Sequence, residues 1–284
     1  AFGSEVRATQ LCLDPSAFLQ ADFGRGRAAV LFSATLGPAA YYKDLCGLPD
    51  ARAVALRSPF DPRRLALVCP RRISTRYRDR AASLEAVAGC LAAMVQARPG
   101  NYLAFFPSYA YLRQVYDVFT AANPGLETLC QTAEMDEAAR AEFLARFAPD
   151  PAAPLLGFAV LGGVFGEGVD LAGDRLIGVA VVGPGLPQVG PRQEQLREYF
   201  EATRGSGFDY AYRYPGMNKV LQAAGRVIRT PADKGVVLLI DDRFTQSDYR
   251  RLMPPHWAGL RTVDTPAQLT ALLAEFWGGE EETP

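Results

Sequence analysis

Lysine is scarce in this chain. Of 30 cationic side chains only three are lysines (Lys43, Lys219 and Lys234), and none follows a glycine. The phosphate loop G-x-x-x-x-G-K-[ST] is therefore absent. Histidine is scarcer still, with His256 alone. That excludes a two-histidine zinc motif and leaves one candidate base for a serine-type triad. His256, in P-P-H-W, reads as packing against Trp257 rather than as a catalyst. Any chemistry then falls to arginine, carboxylates, hydroxyls and backbone, and no resident metal is expected. The five cysteines (Cys12, Cys46, Cys69, Cys90, Cys130) stand 21 or more residues apart, with no C-x-x-C. This odd, dispersed set reads as free thiols in a reducing, cytoplasmic setting rather than a disulfide framework. The longest nearly apolar stretch, Pro154 to Phe165, is too short and glycine-broken to cross a bilayer, so no membrane partner is expected. The start, AFGSEVRATQLCLDPS, lacks a basic run leading into an apolar one and reads as an interior cut from a longer protein.

What is present is a large apolar inventory. With 284 residues, 49% hydrophobic, the chain can bury one large core or two modest ones. Its formal net charge of −1 offers no global basic field. Short apolar runs alternate with helical patterns. Strands are predicted at Ala28–Phe32, Leu65–Cys69, Tyr102–Phe106, Thr128–Gln131, Leu155–Leu161, Leu176–Val182 and Val236–Ile240. Several are apolar throughout, as strands covered on both faces must be. Helical spacing over 81–97, 136–147 and 217–229 fills the gaps, giving an α/β fold with an open, mostly parallel sheet and helices on both faces. In such sheets function gathers at the carboxyl ends of the strands. The long connection Gly183 to Pro215 carries a polar stretch suited to a short helix, and Phe208, Tyr210, Tyr212 and Tyr214 argue that it is ordered.

Four segments carry candidate chemistry. In MNKVLQAAGRVIR, 217–229, a helical projection gathers Lys219, Gln222, Arg226 and Arg229 within an arc of about 80°. Two arginines with a glutamine one turn earlier form a multi-donor comb for phosphate oxygens, and Gly225 lets a phosphate or a second backbone approach. In LGGVFGEGVDLAGD, five glycines surround Glu167, Asp170 and Asp174 after a strand. Such glycines bring backbone N–H groups to a ligand, while the carboxylates suit a metal-bound water, a ribose hydroxyl or an arginine. In FFPSY, Ser108 and Tyr109 stand at a strand end, fit for a phosphate contact or a stacked base. In LFSAT, Ser33 and Thr35 follow an apolar run, which alone is ordinary turn chemistry. The arginine-rich stretch 71–80 reads as a solvated connector, with a DNA-backbone contact as the sharper alternative.

In this order the segments resemble the later motifs of superfamily 2 helicases, specifically the DinG/XPD family. S-A-T at 33–35 is similar to motif III, FFPSY at 105–109 to motif IV, GVFGEGVDL at 163–171 to motif V and QAAGRVIR at 222–229 to motif VI. The resemblance runs from about Asp14 to Trp257. Gly166 departs from it, since relatives often carry a larger residue there.

The resemblance implies a RecA-like motor domain, the second of a pair that hold ATP and Mg2+ between them and single-stranded DNA across both. The phosphate loop, the metal-binding D-E-A-H and, in many members, four iron–sulfur cysteines belong to the first motor domain, outside this chain. Residues 1–36 then form the tail of that first domain and 37–284 the second. Arg226 and Arg229 are expected to act as arginine fingers, with Gln222 positioning phosphate or water. Glu167, Gly168, Asp170 and Gly225 are expected at the nucleotide. Ser108, Tyr109, Gly162 and Gly163 are expected on the DNA, and Ser33 and Thr35 as couplers between the domains. The rival reading is a non-catalytic RecA-like nucleic-acid-binding or regulatory module. A G-K-[ST] and D-E-A-H upstream in the gene would decide for the motor.

Overall fold

The computed structural model describes residues 8–163, 165 and 171–279. Its helices are α1 (Ser16–Phe23), α2 (Ala39–Leu45), α3 (Arg80–Ala97), α4 (Tyr109–Ala122), α5 (Glu137–Ala145), α6 (Pro191–Arg204), α7 (Tyr214–Ala224), α8 (Ser247–Arg250) and α9 (Pro266–Gly278). Its strands are β1 (Leu65–Pro70), β2 (Asn101–Phe106), β3 (Glu127–Cys130), β4 (Leu155–Val160), β5 (Gly178–Val182), β6 (Gly235–Ile240) and β7 (Arg261–Val263). The chain divides into two compact units, Ala1–Ala55 with Gln188–Tyr214, and Leu56–Pro187 with Pro215–Pro284.

The second unit is an α/β layer. Its described strands form one seven-stranded parallel sheet in the order β3-β4-β2-β5-β6-β1-β7. Every residue of β2, β5 and β6 is buried, which is why, Asn101 at the start of β2 apart, those stretches are apolar instead of alternating. One face packs Val87, Leu91 and Met94 of α3, Leu112, Val115 and Phe119 of α4 and Leu269 and Leu273 of α9. The other packs Phe143 of α5 and Met217, Val220 and Ala223 of α7. Side-chain caps start α4, α5 and α9, where Ser108, Asp136 and Thr265 accept from backbone N–H groups three residues on. Each such cap is worth about 1 kcal/mol.

The first unit is helical in its described part. Tyr210 stacks on Phe200 with ring centroids 4.5 Å apart and donates to Asp44 at 2.6 Å, while Arg204 Nε donates to the same carboxylate at 2.7 Å. A π-helical turn over Asp209–Arg213 carries Tyr210 and Tyr212, so the long connection is ordered as its composition suggests.

Three expectations need correction. Ala28–Phe32 forms no strand, and Val30 and Phe32 stand 84% and 90% exposed. Its apolar run matches a strand locally, but pairing requires a neighbour that the described residues do not supply. The edge strand β7 was not anticipated; at three residues it is too short for a periodic signal. The helix expected over 217–229 ends at Ala224. There Arg226 N and Val227 N bond to the carbonyls of Ala223 and Ala224, three residues back, and the α-helical ladder stops at Gly225.

Candidate functional site

At the carboxyl ends of β2, β3 and β4 several polar residues meet. Phe106 and Val160 are register partners and Leu161 N donates to Phe106 O at 2.8 Å, so Ser108 and Gly162 each lie two residues beyond a paired position. Ser108 Oγ caps α4, accepting from Tyr111 N at 3.4 Å. Tyr109 is part-exposed, and its hydroxyl accepts from Gln131 Nε2 at 3.1 Å. Gln131 is only 4% exposed; its Oε1 accepts from Val160 N at 2.8 Å and its backbone N donates to Phe158 O at 2.9 Å. One buried amide thus ties Tyr109 to the end of β4. Sequence reasoning placed Gln131 only as a strand terminus. Its partners are 22 and 29 residues away, so no local pattern exposes the role.

Gly162 has φ +75°, a conformation that favours glycine. A Cβ there would fall 2.8 Å from Cδ and 2.9 Å from Cε of Lys219, which lies across this turn from α7. Gly163 follows, its N–H bonding to Val160 O at 3.3 Å. Phe165 is buried against Phe143, centroids 4.5 Å apart, and anchors the segment to the core. Glu167, Gly168 and Asp170, together with Gly166, lie outside the described residues.

The second group begins on the last turn of α7 and runs on toward the amino end of β6. Gln222 is exposed near the end of α7, and Gly225, Arg226 and Arg229 follow in the connection that enters β6. Val227 packs at the amino end of β6, where a Cβ on Gly235 would lie 2.2 Å from Val227 Cγ1 and 2.7 Å from Ile177 O. Gly225 is exposed, and a Cβ there would meet Leu221 O at 3.1 Å and Gln222 O at 3.6 Å, so its outer side stays open. Asp233 holds the connection's shape. Its Oδ2 accepts from Arg229 N at 2.7 Å and Thr230 N at 2.8 Å, and its Oδ1 accepts from Thr230 Oγ1 at 2.8 Å. The stripe expected on one helix is therefore divided. Lys219 sits at the β4 turn, while Arg226 and Arg229 follow it by seven and ten residues, about 10–15 Å by helical rise. The expectation that all the unusual segments gather at the carboxyl ends holds for Ser108, Tyr109, Gly162 and Gly163, and fails for the arginines.

The arginine-rich stretch is occupied by structure. Arg71 and Arg72 pair with Asp264 at 2.8 and 2.9 Å, and Arg76 pairs with Asp242 at 2.7 Å. Beside them, fully buried Asp241 accepts from Thr75 N, Arg243 N and Arg243 Nε at 2.9, 2.9 and 2.6 Å. Burial alone would raise this carboxyl, but hydrogen bonds and charge from Arg243, with the Thr75 hydroxyl, outweigh it and hold the group below the usual carboxylate range. His256 meets Trp257 edge-on, ring centroids 6.4 Å apart, and burial lowers its pKa. In the first unit Thr35 N donates to Ser33 Oγ at 3.2 Å, a local turn in which Ser33 is exposed. Among the described residues no group of three or more His, Cys, Asp or Glu side chains could hold a metal ion, and no helix is long and apolar enough to cross a membrane.

Comparison with known proteins places the chain in a family. The family model described as Helicase C-terminal domain matches residues 91–259. ATP-dependent DNA helicase YoaA of Escherichia coli (strain K12) is 28% identical over 212 residues, covering 74% of this chain and 31% of the relative. The general transcription and DNA repair factor IIH helicase subunit XPD of Dictyostelium discoideum is 25% identical over 266 residues, covering 86% of this chain and 33% of the relative. Regulator of telomere elongation helicase 1 of Bos taurus is 29% identical over 207 residues, covering 65% and 17%. The chain thus spans about a third or less of the length of these relatives. Among solved structures, apo XPD superposes with a TM-score of 0.67 at 18% identity, covering 88% of this chain and 51% of that one. A second XPD helicase structure gives the same score and identity, with 88% and 45% covered.

Proposed function

This chain belongs to the DinG/XPD helicases as their helicase C-terminal domain, and we propose that it is the second motor of an ATP-dependent DNA helicase. In this reading ATP and Mg2+ bind between it and a first motor domain that supplies the phosphate loop. Arg226 and Arg229 reach the γ-phosphate and neutralise charge developing in phosphoryl transfer. Gln222 orients phosphate or water, and the open side of Gly225 lets the nucleotide approach. Glu167, Gly168 and Asp170 border the same nucleotide. Ser108, Tyr109 and the Gly162–Gly163 backbone follow single-stranded DNA, and Ser33 and Thr35 pass closure between the domains.

The observation that carries the reading is the pinned connection after α7. Transition-state stabilisation needs donors held before reaction, and the Asp233 carboxylate fixes the backbone of Arg229 through the 2.7 Å bond. A solvated arginine stripe would need no such anchor. Residues 1–36 fit the tail of the first motor domain. The exposed run Ala28–Phe32 has strand composition without a described partner, and burying each large side chain in a neighbouring sheet would gain about 1.5–3 kcal/mol. The five free cysteines suit a cytoplasmic enzyme.

The test is DNA-stimulated ATP hydrolysis by the helicase that contains this domain and its first motor. Arg229→Ala is expected to lower turnover by about a thousandfold and leave single-strand affinity within about twofold. Turnover near that of the wild type overturns the finger assignment. The 284-residue chain alone, having no Gly-Lys pair, is expected to hydrolyse no ATP above background.

A further inference from the structure

Lys219 lies three residues before Q-A-A-G-R-V-I-R and takes no part in that motif. Its stem crosses the backbone of Gly162, bringing Nζ to 3.2 Å from where a Cβ at that residue would lie. Glycine at φ +75° leaves the space that the stem fills, so the lysine and the turn form one feature. Several arginines of the same unit, beyond the ends of β1 and β6, are committed: Arg71 and Arg72 to Asp264, Arg76 to Asp242 and Arg243 to Asp241. Lys234 is held near Gly279 O at 3.3 Å and over the Phe276 ring. Lys219, by contrast, has no ion-pair partner among the described residues.

We propose that Lys219 binds a backbone phosphate of the single strand at the Gly162 turn, so that α7 serves the nucleic acid at its Lys219 level and the nucleotide beyond its carboxyl end. This rests on the reading of the β2–β4 edge as the DNA track. Three features place a strand phosphate there. Ser108 and Gly162 each stand two residues beyond Phe106 and Val160, the last register partners of the adjacent strands β2 and β4. Tyr109 offers a part-exposed ring on the same edge, with its hydroxyl held by Gln131. The ammonium supplies the charge that this neutral set lacks. The nucleotide is the poorer match because the Lys219 stem reaches the Gly162 turn, whereas Arg226 and Arg229 leave α7 beyond Gly225 toward the amino end of β6, where Val227 meets Gly235.

The experiment measures binding of the full chain to a fluorescein-labelled oligothymidylate by anisotropy across salt from about 50 to 300 mM. Loss of one phosphate contact on a single strand lowers the slope of log K against log salt by about 0.7. Lys219→Met, which keeps the apolar stem, is expected to show that loss and about three- to tenfold weaker binding at the lowest salt. Lys219→Arg should keep the slope, and so should Lys234→Met. Circular dichroism melts identical to wild type show that each variant is folded. A Lys219→Met slope equal to wild type, with wild-type binding itself salt-dependent, overturns the role of Lys219 alone. If the wild-type chain shows no salt-dependent binding, the DNA-track reading falls and this proposal falls with it.

Discussion

Replacing Asp233 by alanine should unfasten the backbone of Arg229 while leaving its side chain unchanged. The residue is 8% exposed, and its carboxylate accepts from Arg229 N at 2.7 Å, Thr230 N at 2.8 Å and Thr230 Oγ1 at 2.8 Å. Hydrogen bonds to a charged acceptor contribute about 1.5–3 kcal/mol each when shielded. Three would total roughly 4–9 kcal/mol, but Arg229 and Thr230 are exposed and water can replace much of that. We expect about 2–3 kcal/mol for Asp233→Ala and about half for Asp233→Asn, which keeps one acceptor oxygen. Part of this loss should appear as local opening instead of global unfolding. The decisive assay is therefore amide hydrogen exchange. Protection should fall at Arg229 and Thr230 while Val237 and Leu238 in β6 keep theirs, with urea unfolding giving the global share. In the complete helicase, a loosened finger should cost at least tenfold in kcat, since misplacement of about 1 Å can cost a hundredfold, with the KM for DNA unchanged. Unaltered protection at Arg229 together with normal kcat would refute the reasoning.

Two further tests address the scaffold. Gly235→Ala places a methyl 2.2 Å from Val227 Cγ1 and 2.7 Å from Ile177 O. Because the second contact is backbone, urea unfolding should show a loss of about 1–3 kcal/mol. Asp241 has a carboxyl depressed in the folded state, so its contribution is complete above the ordinary carboxylate range and is lost as pH falls through the folded value. Asp241→Asn should therefore cost about 3 kcal/mol at neutral pH by stranding Arg243. It should also flatten the acid limb of the stability curve, read from urea midpoints below about pH 5.

Much of the architecture was legible because burial leaves a local record. A strand covered on both faces must be apolar residue after residue, and Tyr102–Phe106 and Val236–Ile240 show this over five or more positions. The same rule misread Ala28–Phe32. Composition reports what a segment is fit to do, whereas pairing depends on a partner elsewhere. The candidate site was legible as motifs but not as a surface. QAAGRVIR reads as one helical stripe, yet its ladder stops at Gly225 and the arginines continue in a connection shaped by Asp233. Asp233 had a local signal, an aspartate shortly after Thr230 and Pro231 at a helix exit, suited to capturing free N–H groups. Gln131 had none, because its partners are remote in sequence.

By itself the amino-acid sequence determined the alternation of strand and helix, the order of the four motifs and the absence of a Gly-Lys pair, since each of these is a property of neighbouring residues. Only the tertiary structure decided which motifs share an end of the sheet. Parallel pairing of β2 with β4 brings the strand ends that precede Ser108 and Gly162 together, while α7 sets the Lys219 stem at the Gly162 turn and its exit leads Arg226 and Arg229 toward the amino end of β6. That separation arises from strand direction and helix length, which no spacing of residues along the chain expresses.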